Sequence, residues 1–260
     1  MKIEINYIAT DGYVEFFDKF RDTIGNFFPG VKKIVRILSN VSRDFGITNN
    51  DVERVDVIKI FDLIYPCINL NKTYFLSQLP PTDADYVFYF DADTYFNKVS
   101  GFVFDELLDH MDEGNFCMSY HPKYNLDDSV DYKKEDIEIF FSCMTERDSS
   151  QLSYIDSYYY TYIISSFFCA RRDVFFDVCN EVTEMIRGDM RRDNKYRIPM
   201  YMDENYFNKL VYNYEVKNDR TFNFKIDSYI LLGNSYNKEN IYNGFITQKN
   251  YNNDLKRYRR

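Results

Sequence analysis

Tryptophan is absent from these 260 residues, histidine occurs twice, and the five cysteines, at 67, 117, 143, 169 and 179, form no C-x-x-C pair. An odd cysteine count without metal-type spacing argues against a disulfide framework or a zinc site, so reduced, buried thiols in a cytosolic setting are expected. Positive charge is in deficit: 41 acidic residues face 32 basic ones, for a formal net charge of -9. Neutralising a phosphate backbone needs a positive face, so non-specific nucleic-acid binding is excluded. Long apolar runs are missing as well. No window approaches a transmembrane span, and the opening Met1-Lys2-Ile3-Glu4-Ile5-Asn6-Tyr7-Ile8 carries acids and alternation where a signal peptide would be unbroken and apolar. A soluble, cytoplasmic protein is the expectation, and the N-x-S/T sequons at Asn40 and Asn71 then have no bearing.

What is present is a hydrophobic share of 45%, with 25 Tyr and 24 Phe, enough for one sizeable core. The aromatic excess suits stacking on sugars or bases, although an AT-rich coding sequence accounts for most of it. A basic tail, Lys256-Arg257-Tyr258-Arg259-Arg260, is either a solvated end or a closure over an anionic ligand.

Periodicity predicts a strand over Ile3–Ile8, a turn at Asp11-Gly12 and a helix over Tyr13–Asn26 with Phe16, Phe17, Phe20 and Ile24 on one face. Strands follow at Lys33–Leu38 and Val55–Ile60, and a helix at Asn69–Leu79, stopped by Pro80-Pro81. The unbroken run Tyr86-Val87-Phe88-Tyr89-Phe90 reads as a central strand covered on both faces. Further on, helices are expected over Phe104–Met111, Arg172–Arg187 and Asp203–Tyr212, and strands over Phe116–Tyr120, Tyr158–Phe168 and Phe222–Ile226. The acidic stretch Asn125–Asp136 reads as a surface loop. Such alternation predicts an α/β fold, Rossmann-like, with a mostly parallel central sheet flanked by helices and ligands at the carboxyl ends of its strands.

The central strand ends in Asp91-Ala92-Asp93. Two carboxylates one residue apart can converge on one hard cation if the backbone turns sharply there, and Mn2+ or Mg2+ would leave positions open for diphosphate oxygens. The tripeptide alone is weak, since acidic turns after strands are common. Its setting, after a buried strand within a βα architecture, strengthens it.

The stretch Tyr89-Phe90-Asp91-Ala92-Asp93-Thr94-Tyr95-Phe96 resembles the D-x-D segment of glycosyltransferase family 6, which includes the histo-blood-group A and B transferases and the α-1,3-galactosyltransferases. Collinear segments are similar too. Ile8-Ala9-Thr10-Asp11-Gly12-Tyr13 resembles the family's F-A-I-x-x-Y, and Thr145-Glu146-Arg147-Asp148-Ser149-Ser150-Gln151-Leu152-Ser153-Tyr154-Ile155 its Y-E-R-R-P-x-S-x-A-Y-I. Tyr162-Ile163-Ile164-Ser165-Ser166-Phe167-Phe168 parallels Y-Y-L-G-G-F-F, and Met202-Asp203-Glu204-Asn205-Tyr206-Phe207-Asn208-Lys209 parallels H-D-E-S-H-L-N-K.

The resemblance implies a single GT-A domain over 1–260, with a nucleotide-sugar half at 1–98, an acceptor and catalytic half at 99–215, and a C-terminal segment and tail at 216–260. It implies a retaining transferase that moves a hexose of galactose, N-acetylgalactosamine or glucose type from a UDP-sugar to a glycan or glycolipid in α linkage. Asp91 and Asp93 would bind the metal, Asp91 also the donor, and Ile8, Ala9, Thr10 and Tyr13 would form the nucleotide pocket. Glu204 would lie beneath the anomeric carbon as nucleophile or as stabiliser of oxocarbenium charge. Ser165 and Ser166 stand where the family has Gly-Gly and would narrow the donor-sugar site. Lys249 would reach the diphosphate, and His121, Asp203 and Tyr206 would face the acceptor. Tyr13 also fits a core aromatic, Asp203 a residue favouring the helix dipole, and His121 an ordinary structural histidine. The membrane tether of vertebrate members has no counterpart here, which fits a bacterial, phage or viral source. Two other readings are a glycogenin-like GT-A transferase, which would want a downstream histidine as third metal ligand, and a non-catalytic glycan- or nucleotide-binding module.

Overall fold

The computed structural model describes residues 1–61, 63, 67–120, 163–191, 203–215, 217–227, 229–233 and 246–249; at 191, 230–233 and 246–249 only the backbone course is described. Seven strands form one sheet: β1 (Lys2–Ile8), β2 (Lys32–Ser39), β3 (Val52–Lys59), β4 (Tyr86–Asp91), β6 (Asn115–Tyr120), β7 (Ile163–Arg171) and β8 (Asn223–Asp227), in the order β3-β2-β1-β4-β7-β6-β8. All pairings are parallel except those of β7, which runs antiparallel between β4 and β6. The sheet is therefore mixed and mostly parallel, and it continues without a break across residue 98.

Helices cover both faces. Ile3, Ile5 and Tyr7 alternate toward one layer, formed by α1 (Phe17–Thr23) and α4 (Gly101–Asp112), and Phe88 and Phe90 point the same way. Ile8, Val87 and Tyr89 face the other layer, formed by α3 (Lys72–Ser77), α5 (Arg172–Arg191) and α6 (Asp203–Glu215). Burial on both faces explains why β4 reads as one apolar run rather than as an alternation. Among the described residues no helix is long and apolar enough to cross a membrane.

Two expected helices differ from expectation for local reasons. The Tyr13–Asn26 segment is a short α1 between 3-10 turns at Asp11–Phe16 and Ile24–Asn26. Asp11 sits in left-handed backbone at φ 49°, held by reciprocal bonds with the Asn40 amide, and the Tyr13 N–H closes a tight turn onto the Thr10 carbonyl at 2.9 Å. The Asn69–Leu79 segment splits at Asn71 into α2 (Cys67–Leu70) and α3. There the Asn71 side-chain amide donates to the Cys67 carbonyl at 2.8 Å, a carbonyl it shares with the Asn71 backbone N–H at 3.1 Å.

Three strands were not anticipated. β5 (Thr94–Phe96), β9 (Ile230–Gly233) and β10 (Ile246–Lys249) form a small second sheet in the order β5-β10-β9. The expected loop at Asn125–Asp136, the start of the strand expected from Tyr158, the basic tail and the family-like segment 145–155 lie outside the described residues.

Candidate functional site

In the order β3-β2-β1-β4, the chain steps outward from β1 to β2 and β3, then returns to the other side of β1 as β4. The crevice at the carboxyl ends of β1 and β4 lies at that reversal, where open α/β sheets bind ligands. A cleft of about 260 Å³ opens there, lined by Ile8, Thr10, Asp11 and Tyr13 from the end of β1, by Leu63, Ile68, Asn69 and Lys72, and by Tyr89, Asp91, Ala92 and Asp93 from β4.

The turn that carries the carboxylates is anchored from three sides. The buried Tyr7 hydroxyl donates to the Ala92 carbonyl at 2.6 Å, and the Thr94 hydroxyl donates to the Asp91 carbonyl at 2.7 Å. Immediately beyond, the Phe96 N–H donates to Thr23 Oγ1 at 3.1 Å and the Asn26 amide donates to the Phe96 carbonyl at 3.0 Å, tying β5 to the first helical layer. The sharp bend that two convergent carboxylates require is therefore built from β1, α1 and β5 together.

Asp91 is held by one oxygen. Its Oδ1 accepts the Tyr89 hydroxyl at 2.6 Å and faces the Lys72 ammonium at 3.2 Å, while Oδ2 makes no bond among the described residues. The Asp91 side chain is 32% exposed and lines the cleft, and Asp93, only 5% exposed, lines the same wall. Oxygen donors of this kind suit a hard divalent cation. Among the described residues no group of three or more His, Cys, Asp or Glu is placed to enclose a metal, so the two aspartates would leave most coordination positions to ligand oxygens and water.

Lys72 ties α3 to β4, β7 and α6. Wholly buried, its Nζ lies 2.8 Å from Asp203 Oδ2 on α6, 3.2 Å from Asp91 on β4 and 3.2 Å from the Ser165 carbonyl on β7, over the Tyr89 ring. Burial works against its charge, but the two carboxylates overturn that and hold the ammonium well above the usual lysine range. Burial pushes the Asp203 carboxyl up, and the same ammonium, with the Ser165 side chain, pulls against it. Ser165 also donates its backbone N–H to Glu204 Oε2 at 3.2 Å. Asn208, one helical turn on, brackets Ile163 with its amide, accepting the Ile163 N–H and donating to the Ile163 carbonyl, each at 2.9 Å, which fixes α6 against the start of β7.

The structure brings Ile8, Thr10, Tyr13, Asp91 and Asp93 together around the cleft. Ala9, expected beside them, is wholly buried and donates its N–H to the Leu38 carbonyl at 3.0 Å. Ser165 and Ser166 are buried at 5% and 2% exposure, and neither lines the cleft; Ser165 is engaged with Lys72, Asp203 and Glu204. Asp203, expected at the acceptor, is instead tied to Lys72 beneath the surface. Tyr206, also expected at the acceptor, is wholly buried, with its hydroxyl donating to the buried Asp189 at 2.8 Å, because it shares the inward helix face with Asp203, Phe207 and Leu210. His121 lies outside the described residues. The backbone at Lys249 ends β10 one residue beyond the Gln248–Thr94 pair, next to the Asp91–Thr94 turn.

Lys72 was missed by sequence reasoning, although a signal existed. It stands at the buried positions of its helix with Thr73, Phe75 and Leu76, and a lysine on an apolar face demands an anionic partner. No protein-family model matches the chain, and no curated protein matches it.

Proposed function

We propose that this chain is a GT-A-type, retaining glycosyltransferase of the family 6 kind, which moves a hexose from a UDP-sugar to a glycan or glycolipid. The observation that carries this reading is the shared cleft at the ends of β1 and β4: the two aspartates of the D-x-D turn line it together with Ile8, Thr10 and Tyr13, three of the four residues expected to hold the nucleotide. Asp91, through Oδ2, and Asp93 would hold Mn2+ or Mg2+. The cation, when bound, supplies Lewis-acid stabilisation of the departing diphosphate.

The chain's own residues do the rest. Tyr89 and Lys72 fix Asp91 in one rotamer, so its free oxygen needs little reorganisation to meet a ligand. Tyr13 offers a partly exposed ring at the cleft wall for base stacking. Glu204, oriented by the Ser165 N–H, serves the anomeric carbon as nucleophile or as stabiliser of oxocarbenium charge. The course of β10 next to the D-x-D turn supports the assignment of Lys249 to the diphosphate.

Thermal unfolding against a panel of nucleotide sugars, with and without manganese, tests the reading. At a hundredfold excess over Kd, a UDP-sugar with manganese should raise Tm by about 5–11 °C. Equal shifts with CDP- and GDP-sugars, or no shift with any of them, would count against it. Binding of a UDP-sugar without consumption over hours, across several acceptors, would mark a binding module instead.

A further inference from the structure

Asp91 already has a cation. Lys72 Nζ sits 3.2 Å from its Oδ1 and is locked there by Asp203 Oδ2 at 2.8 Å and by the Ser165 carbonyl at 3.2 Å, on a side chain that is 4% exposed. An ammonium so placed cannot swing away when a second cation approaches, since its three contacts come from β4, α6 and β7, which pack together in the core. Any divalent ion reaching Oδ2 then meets a fixed positive charge on the far side of the same carboxylate. In a half-buried setting that repulsion is much stronger than in bulk water.

We propose that Lys72 is a built-in counter-ion that makes metal and nucleotide diphosphate bind as one unit. The inference rests on the proposed reading of the Asp91–Asp93 site. Lys72 neutralises part of the carboxylate charge that would otherwise attract a bare cation. Asp203 contributes nothing to metal binding because its carboxylate is tied to the same ammonium. Two aspartates, one of them shared with Lys72, make a poor site for a free ion. A diphosphate brings its own negative charge and oxygen ligands, offsets the ammonium and completes the coordination. Lys72 is thus a positioning residue for Asp91 and a brake on metal binding. The chemical logic extends to product departure, since UDP leaving removes the charge that retained the metal.

Manganese binding, followed by the loss of the free-ion EPR signal with and without UDP, separates the possibilities. Wild type should bind Mn2+ at least a hundredfold more tightly with saturating UDP than without it. Lys72→Met, which removes the ammonium, should bind Mn2+ alone at least tenfold more tightly than wild type, about 1.4 kcal/mol, and its UDP enhancement should shrink accordingly. The double variant Lys72→Met/Asp203→Leu, which removes the buried pair together, carries the same expectation if the single variant folds poorly. A merely structural lysine would weaken metal binding on removal, not strengthen it. The counter-ion role is overturned if wild type binds Mn2+ equally well with and without UDP, or if both variants bind Mn2+ alone no more tightly than wild type. Absence of Mn2+–UDP binding in every protein would overturn the underlying reading of the site.

Discussion

Replacing Lys72 by methionine should destabilise the fold more than any single exposed substitution. Its Nζ and the Asp203 carboxylate are 2.8 Å apart, and the side chains are 4% and 3% exposed, so removing the cation strands a buried anion. Breaking a buried pair from one side costs ~3–5 kcal/mol, because the uncompensated charge keeps its desolvation penalty. For a chain of this size that corresponds to a fall in Tm of roughly 6–20 °C. Asp91 suffers less, since it is partly exposed and retains the Tyr89 hydroxyl. Asp203→Leu alone should be costly for the mirror-image reason. The double variant, which replaces the pair with apolar groups, should lose less than the two single losses added together, with a coupling of roughly 1–3 kcal/mol. Urea unfolding of the four proteins completes the cycle. A loss below ~1 kcal/mol for Lys72→Met, or simple additivity in the double variant, would refute the claim that this buried pair ties α3 to α6.

Glu204→Gln preserves an oxygen acceptor for the Ser165 N–H while removing charge, so it should lower kcat by at least about a hundredfold with donor binding within a few-fold of wild type; a near-normal rate would remove Glu204 from the reacting centre. Tyr206→Phe should cost about 1–3 kcal/mol of stability by depriving the buried Asp189 of a donor, yet leave acceptor KM unchanged, and a raised KM would restore Tyr206 to the acceptor site. Burial pushes the Lys33 ammonium down to about 8, with Asp51 pulling it back. The unfolded chain holds that proton up to the ordinary value near 10.5, so between those pH values the unfolded state binds more protons and stability rises with pH, by at most ~3 kcal/mol. Urea unfolding between pH 7.5 and ~9.5, below the tyrosine range, should give a more positive pH dependence of stability in wild type than in Lys33→Met, since burial raises the Cys169 and Cys179 thiols and these act in the opposite direction in both proteins; identical slopes would contradict it.

The βα half of the fold was readable because its signals are local. The apolar run of β4 and the alternation of β1 each follow from which faces are covered, and Asp91 falls at the strand end where the sequence places it. The second sheet was invisible because β10 finds its partners far away in sequence, on β5 and β9, and its own residues carry little pattern. The break at Asn71 carries a local side-chain bond to the Cys67 carbonyl, which leaves no mark on the apolar pattern. At the site, the wall formed by Ile8, Thr10, Tyr13, Asp91 and Asp93 was legible from spacing and resemblance. Lys72 was not, since its two carboxylates come from β4 and α6 and become neighbours only through the fold. The burial of Tyr206 was not legible in the motif alignment, which ignores the helix phase that turns it inward with Phe207 and Leu210.

UDP release from a UDP-sugar in the presence of manganese, compared between wild type and the Asp91→Asn/Asp93→Asn variant, tests the central claim most directly. Both substitutions keep side-chain volume while removing the anionic ligands, and Asp91→Asn keeps an oxygen acceptor for the Tyr89 hydroxyl. The account predicts manganese-dependent turnover in wild type and a loss of at least about a hundredfold, ~2.7 kcal/mol, in the variant, through kcat and donor KM. Turnover in the variant equal to that of wild type would contradict the assignment of metal and diphosphate to this turn.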